Sequence, residues 1–231
     1  MDLSAYSKDI LQSMQRAGQE VIECYRVLGK ANTNTVGELL RWQGEFVEWS
    51  HYPEGDVFDG GTFSQYYYHA HRGDWPEHGH FHIFMRQGGM PQGLDPVPNE
   101  GDSEWPSGND SICHLVAISM DEFGYPTRLF TTNRWVTGET WYDANDAIVM
   151  LKNFLIDHTS PSWATNRWIS AMAKLYRPQI EDLLLKRDET LKGWRHDHPK
   201  SDVFEDRNLE VTSHLEISVD DQIEAIRQAL D

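Results

Sequence analysis

Tyr66-Tyr-Tyr-His-Ala-His71 and His78-Gly-His-Phe-His-Ile-Phe84 set the reading of this chain. Five of its eleven histidines fall in the fourteen residues from His69 to His82. Within each stretch they recur every second residue, which is the period of a β-strand. Two strands, Thr62 to Arg72 and His78 to Arg86, are expected to pair antiparallel across the Gly73-Asp-Trp-Pro-Glu77 connection. In that register His71 faces His78, His69 faces His80, and Tyr67 faces His82. All five imidazoles then share one face with Phe84 and Arg86. Tyr66, Tyr68, Ala70, Phe81, Ile83 and Met85 form the opposite, apolar face. A slip of one residue would destroy that division.

Neutral imidazole is the commonest protein ligand for transition metals. Strand geometry limits how many of the five can meet one ion. Residues i and i+2 are about 6.6 Å apart along a strand, and i and i+4 about 13 Å. Directly opposed Cβ atoms are about 5 Å apart. The expected centre is therefore the cross-strand pair His69 and His80, completed by His71, His78 or His82. Any histidine left over would support the ligands or move protons. Three ligands with one open position is the usual catalytic arrangement. Zinc is the first expectation, and an all-nitrogen set also admits iron, nickel and copper. Glu77, beside the run, could be a ligand, a general base or an acceptor that orients an imidazole. His114 would reach the same face if its strand lay next to the pair. His51, His158, His196, His198 and His214 read as structural or surface groups.

Arg134-Trp-Val-Thr-Gly-Glu139 closes a later strand. Arg134 could clamp an anion in bidentate fashion, Glu139 could serve as an acid or base, and Arg86 is a second anion-binding candidate.

Outward from the histidines, helices are expected at both ends of the chain. The first spans about Lys8 to Leu28, with Ile10, Met14, Ala17, Val21, Tyr25 and Leu28 on one stripe and Gly29 stopping it. A second opens at a Thr35-Val-Gly-Glu38 capping box and continues through Phe46 and Val47, ending before Pro53. Gln87 to Asp110 is a long loop. Ser111 to Met120 and Thr127 to Val136 form a second hairpin. Helices follow from Asp143, over Asn166 to Tyr176, and from Pro178 to Trp194. A half-buried strand with Leu209, Val211, Leu215 and Ile217 inward precedes a last helix capped by Ser218. The fold class is α+β, a mostly antiparallel sheet with N-terminal and C-terminal helices. One domain is expected over residues 1–231. It has a helical part at 1–50, the β-rich core at 62–136, and a mainly helical part at 143–231.

Hydrophobic residues make up 39% of the chain, and nine tryptophans argue against disorder. The formal charge of −17 disfavours nucleic acid and anionic membrane as partners. A metal ion and a small-molecule ligand are compatible with it. Cys24 and Cys113 form no C-x-x-C pair, so neither a disulfide framework nor a thiolate zinc site is expected. The opening residues lack a basic then apolar leader pattern, and no apolar run is long enough to span a bilayer. The expectation is a cytoplasmic protein.

His78-Gly-His-Phe-His-Ile-Phe84 resembles, over seven residues, the motif of the histidine-triad nucleotide hydrolases and transferases. Gly79 stands where that motif has an apolar residue, and a tyrosine-rich strand precedes it. That resemblance implies metal-free nucleotidyl transfer with His80 as nucleophile. Glu77-His-Gly-His-Phe-His82 together with Arg134-Trp-Val-Thr-Gly-Glu139 is more similar to an uncharacterised bacterial family of unknown function. That resemblance covers most of the chain. It implies a bacterial cytoplasmic source and supplies no activity. Three functions follow from the residues and resemblances together. The first is a metal-dependent hydrolase or oxidoreductase acting on a small anionic substrate. The second is the nucleotidyl transferase, and the third a non-catalytic metal-binding or sensor module.

Overall fold

A computed structural model describes residues 3–71 and 75–231. Its centre is a six-stranded sheet in the order β1-β2-β3-β4-β5-β6, in which every neighbouring pair runs antiparallel. The strands are β1 (Tyr52–Phe58), β2 (Ser64–His69), β3 (Gly79–Arg86), β4 (Ile112–Met120), β5 (Pro126–Thr132) and β6 (Val211–Glu216). Helices α1 (Lys8–Lys30) and α2 (Thr35–Leu40) precede the sheet. Between β5 and β6 lie α3 (Arg134–Thr137), α4 (Ala144–Leu151), α5 (Trp163–Leu175) and α6 (Arg177–Asp197), and α7 (Val219–Leu230) closes the chain. The α+β class is the one the sequence pattern gives.

One face of the sheet carries the main core. Tyr66 and Tyr68 from β2, Phe81, Ile83 and Met85 from β3, and Val116, Ile118 and Met120 from β4 pack there against Trp168 and Ile169 of α5. The core-facing side of α1 is Leu11, Met14, Ala17, Val21, Cys24 and Leu28, with Ile10 and Tyr25 at its half-buried margins. Burying each of the larger apolar side chains among these, such as Leu11, Met14 and Val21, contributes about 1.5–3 kcal/mol. The opposite face of β2 and β3 is buried as well, so the histidines sit under cover rather than in solvent. A smaller apolar cluster of Trp141, Leu191, Val203, Phe204 and Leu209 lies apart from the main core.

Several boundaries differ from expectation, each for a local reason. The second helix stops at Leu40, because Gly44 (φ 78°) and Trp49 (φ 71°) take left-handed backbone that no helix tolerates. Its cap is Asn34, whose side chain accepts from the Gly37 amide, one residue ahead of the Thr35 box. The first helix passes through Gly29 and ends at Lys30. Strand β1 had no sequence signal: Pro53 falls inside it, and its pairing to β2 breaks between Tyr52 and Val57. An edge strand can carry both defects. Strand β5 ends at Thr132, because Asn133 caps α3 and so places Arg134 on a helical turn. In β6 the buried residues are Thr212 and Ser213 rather than Leu215, which is 36% exposed. Asp143, Ser162 and Ser218 all act as helix caps. Arg72, the expected last residue of the first histidine strand, lies outside the described residues, as does the start of the turn after it.

Candidate metal centre

Strand β2 delivers His69 at its end, and β3 delivers His80 and His82. The ladder sets His69 opposite His80 and Tyr67 opposite His82, so one cross-strand pair and the next same-face residue converge. A ring nitrogen from each of His69, His80 and His82 lies within 4.8 Å of the other two, and all three residues are buried. The Nε2 atoms of His69 and His80 are 2.6 Å apart.

Two contacts lie behind the His80 and His82 rings. Glu77 Oε1 accepts from His80 Nδ1 at 2.6 Å, which leaves the His80 Nε2 lone pair pointing at His69. His82 Nδ1 lies 3.0 Å from His114 Nε2. One of these two nitrogens donates to the other, so each ring holds the other's angle. The His82 Nε2 atom is buried with no protein partner. Carboxylates and hydrogen-bonded groups behind metal-binding imidazoles do this same job of fixing tautomer and ring angle.

A β-bulge brings His114 into this arrangement. Ile83 pairs with Val116, but Phe84 pairs with His114, so Leu115 is an extra residue in β4. Bulges re-aim side chains in this way. Leu115 joins the apolar core, and His114 turns to the histidine face. Glu139 secures the bulge: its Oε2 accepts from the His114 backbone N–H at 2.6 Å, and its Oε1 from the Thr137 hydroxyl at 3.1 Å.

Burial and crowding disfavour the charged form of His69, His82 and His114. Burial, then the neighbouring His80, His71 and His51 rings, push His69 down to about 2. Burial and the His80, His114 and His69 rings push His82 well below its ordinary value. His114 is pushed to about 3 by burial, then by Arg187 and His80. Burial alone would raise Glu77. The hydrogen bond from His80 Nδ1 outweighs it and holds the carboxyl below the usual range. Neutral nitrogens and an ionised carboxylate are the states a cation requires.

A cavity of about 530 Å³ opens beside the centre, lined by Glu77, His71, His80 and His82 and walled by Trp49, Trp75 and Phe130. Among the described residues, seven buried side-chain atoms lack a hydrogen-bond partner. Four of them, Glu77 Oε2, His82 Nε2, Ser119 Oγ and Thr132 Oγ1, belong to the histidine face or this cavity. Each buried unsatisfied group costs about 1–3 kcal/mol, so their concentration marks a place built to hold something polar.

The remaining predicted residues lie elsewhere. His71 is half-buried on the cavity wall, its ring 5.3 Å from that of His69 and stacked on Trp49 at 4.6 Å. His78 is not on the shared face. It precedes β3, stacks on Phe46, and its Nδ1 is 2.6 Å from the Tyr68 hydroxyl on the core side. Gly79 permits this: a Cβ there would stand 2.5 Å from both Tyr68 Oη and the His69 carbonyl. Arg86 lines a neighbouring cavity of about 460 Å³ and donates from Nε to Gln65. Arg134 does not reach the centre; it is buried between Glu205 and the Glu139 carbonyl, bracing a corner. Glu139 is fully buried and anchors the bulge rather than facing the cavity. Residue His51, expected to be structural, stacks flat on Tyr67 at 3.6 Å, and its Nδ1 is 3.1 Å from Asp56. Its ring is 5.6 Å from that of His69, a proximity created by the unanticipated β1. Both ring nitrogens of His80 are engaged, Nδ1 by Glu77 and Nε2 by His69.

Fold and site together define an α+β protein with a buried three-histidine group compatible with binding a metal ion. The chain belongs to the family described as a domain of unknown function, DUF6969, which matches residues 15–217. No curated protein and no solved structure matches it.

Proposed function

We propose that this protein holds one divalent transition-metal ion on His69, His80 and His82 and uses it on a small molecule bound in the adjoining cavity. One observation carries the reading: three buried histidines from two paired strands bring a nitrogen each within 4.8 Å of one another. The Glu77 contact, which leaves the His80 Nε2 lone pair facing inward, and the His114 contact behind His82 support it. Zinc is the first candidate, followed by iron, nickel and copper, since all accept imidazole. Such an ion supplies Lewis acidity and an acidified water for hydrolysis, or redox chemistry if it is iron or copper. Around it, Glu77 holds His80 and keeps its second oxygen unpartnered, ready to take a proton. Trp49, Trp75 and Phe130 exclude water from the substrate's apolar body. An anionic group on the substrate would meet Arg86 in the neighbouring cavity.

Elemental analysis of protein purified without an immobilised-metal column tests this. The expected result is about one transition-metal ion per chain. It is lost in His80→Ala and retained in His196→Ala, with both variants folded by near-ultraviolet circular dichroism. No metal above trace, and none taken up on reconstitution, would overturn the proposal.

A further inference from the structure

Outside the histidine face, the most distinctive feature is a groove of about 1220 Å³ beside β1. Trp42, Val47, Phe58 and Phe63 give it apolar walls, and Glu45 and Glu54 give it charge. Twelve large hydrophobic side chains are exposed among the described residues, and five of them, Trp42, Phe46, Val47, Trp49 and Phe58, fall between residues 42 and 58. Trp42 is 86% exposed. Concentrated exposure of this kind marks an interaction site more often than chance surface.

The segment is pinned in this outward pose. The Val47 amide donates to the Tyr52 hydroxyl at 2.6 Å, and the Trp49 amide donates to the Ala70 carbonyl at 2.8 Å. Its aromatic side chains are therefore presented by a braced backbone, which lowers the ordering cost of binding.

Charge identifies the occupant. Neither Glu45 nor Glu54 is in an ion pair among the described residues. The one cation on the wall, Arg86, is tied to Gln65. A second copy of this chain would bring another net charge of −17 to an acidic groove. Strand addition along β1 is blocked too, because Pro53 lacks an amide hydrogen and Gly55 (φ 81°) and Asp56 (φ 61°) break the edge. We infer that the groove docks a basic segment of another protein, anchored by apolar side chains against Trp42 and Phe58. Its lysines or arginines would lie against Glu45 and Glu54, and one could cover the open face of Trp42.

The probe is a labelled twelve-residue peptide alternating Lys and Leu, with its Glu-Leu counterpart as control. Fluorescence anisotropy is read with the full chain at physiological salt. The Lys-Leu peptide should bind and the Glu-Leu peptide should not. Trp42→Ala should weaken binding about tenfold, as should the double variant Glu45→Lys/Glu54→Lys. The remote double variant Glu122→Lys/Glu189→Lys, which makes the same change in net charge on exposed sites, should leave binding within about twofold. Equal weakening by the remote variant would reduce the effect to net charge and overturn the inference. So would equal binding of the acidic peptide. A dimer in light scattering that Trp42→Ala converts to monomer would assign the groove to a second copy, again overturning it.

Discussion

Glu77 and His80 are joined by a 2.6 Å hydrogen bond from His80 Nδ1 to Glu77 Oε1, and that bond aims His80 Nε2 at His69. The carboxylate sits three residues before the imidazole it orients, at the entry to β3. Replacing it should leave the three nitrogens in place but loosen the ring that carries one of them. Glu77→Gln should weaken metal affinity by about 10–100-fold. A chelator-competition titration checks this, and affinity within twofold of the parent would remove Glu77 from that role.

Gly79→Ala probes the turn that parts His78 from the other histidines. Its Cβ would collide with the Tyr68 hydroxyl and the His69 carbonyl, neither of which can move without shifting β2. Urea unfolding should show a loss of about 1–3 kcal/mol, with weaker metal binding because His69 is displaced. Unchanged stability would mean that Tyr68 yields freely.

The alternation of His69, His80 and His82 with Tyr68, Phe81 and Ile83 was readable because both faces of β2 and β3 are buried, so each side chain has only one place to go. His114 could not be assigned from its sequence position. Simple alternation from Val116 would send Leu115 to the histidine face, and only the bulge reverses that. Strand β1 was hidden by Pro53 and by a burial pattern with no period of two, and with it the approach of His51. Arg134 and Glu139 read as site residues because buried structural charges and binding charges look alike in sequence. The contacts with Glu205, Thr137 and the His114 amide separate the two cases.

Glu139 gives a pH signature. Burial raises it to about 7, with Arg187, the His114 amide and Thr137 pulling the other way. A folded-state value above the unfolded one means the folded state binds the proton more tightly. The stability this contributes is full below about pH 4.5 and is lost as pH rises through about 7. Glu139→Gln keeps an acceptor for the His114 amide and never ionises. It should match the parent at about pH 4 and exceed it by up to about 3 kcal/mol at about pH 8. Thermal unfolding at the two values checks this, and a constant difference between them would contradict it.

Thr132 presents a buried hydroxyl with no partner on the cavity wall. Thr132→Val removes the unsatisfied group at nearly constant volume. Stability in denaturant should stay level or rise by about 1 kcal/mol. A loss of that size would show the hydroxyl to be bonded within the fold.

The central claim is that three imidazoles hold one ion. X-ray absorption at the metal edge of the loaded protein counts the ligands directly. For zinc, the account predicts three imidazole nitrogens at about 2.0–2.1 Å, falling to two in His82→Ala. A shell of oxygen atoms without imidazole scattering, unchanged in that variant, would contradict it.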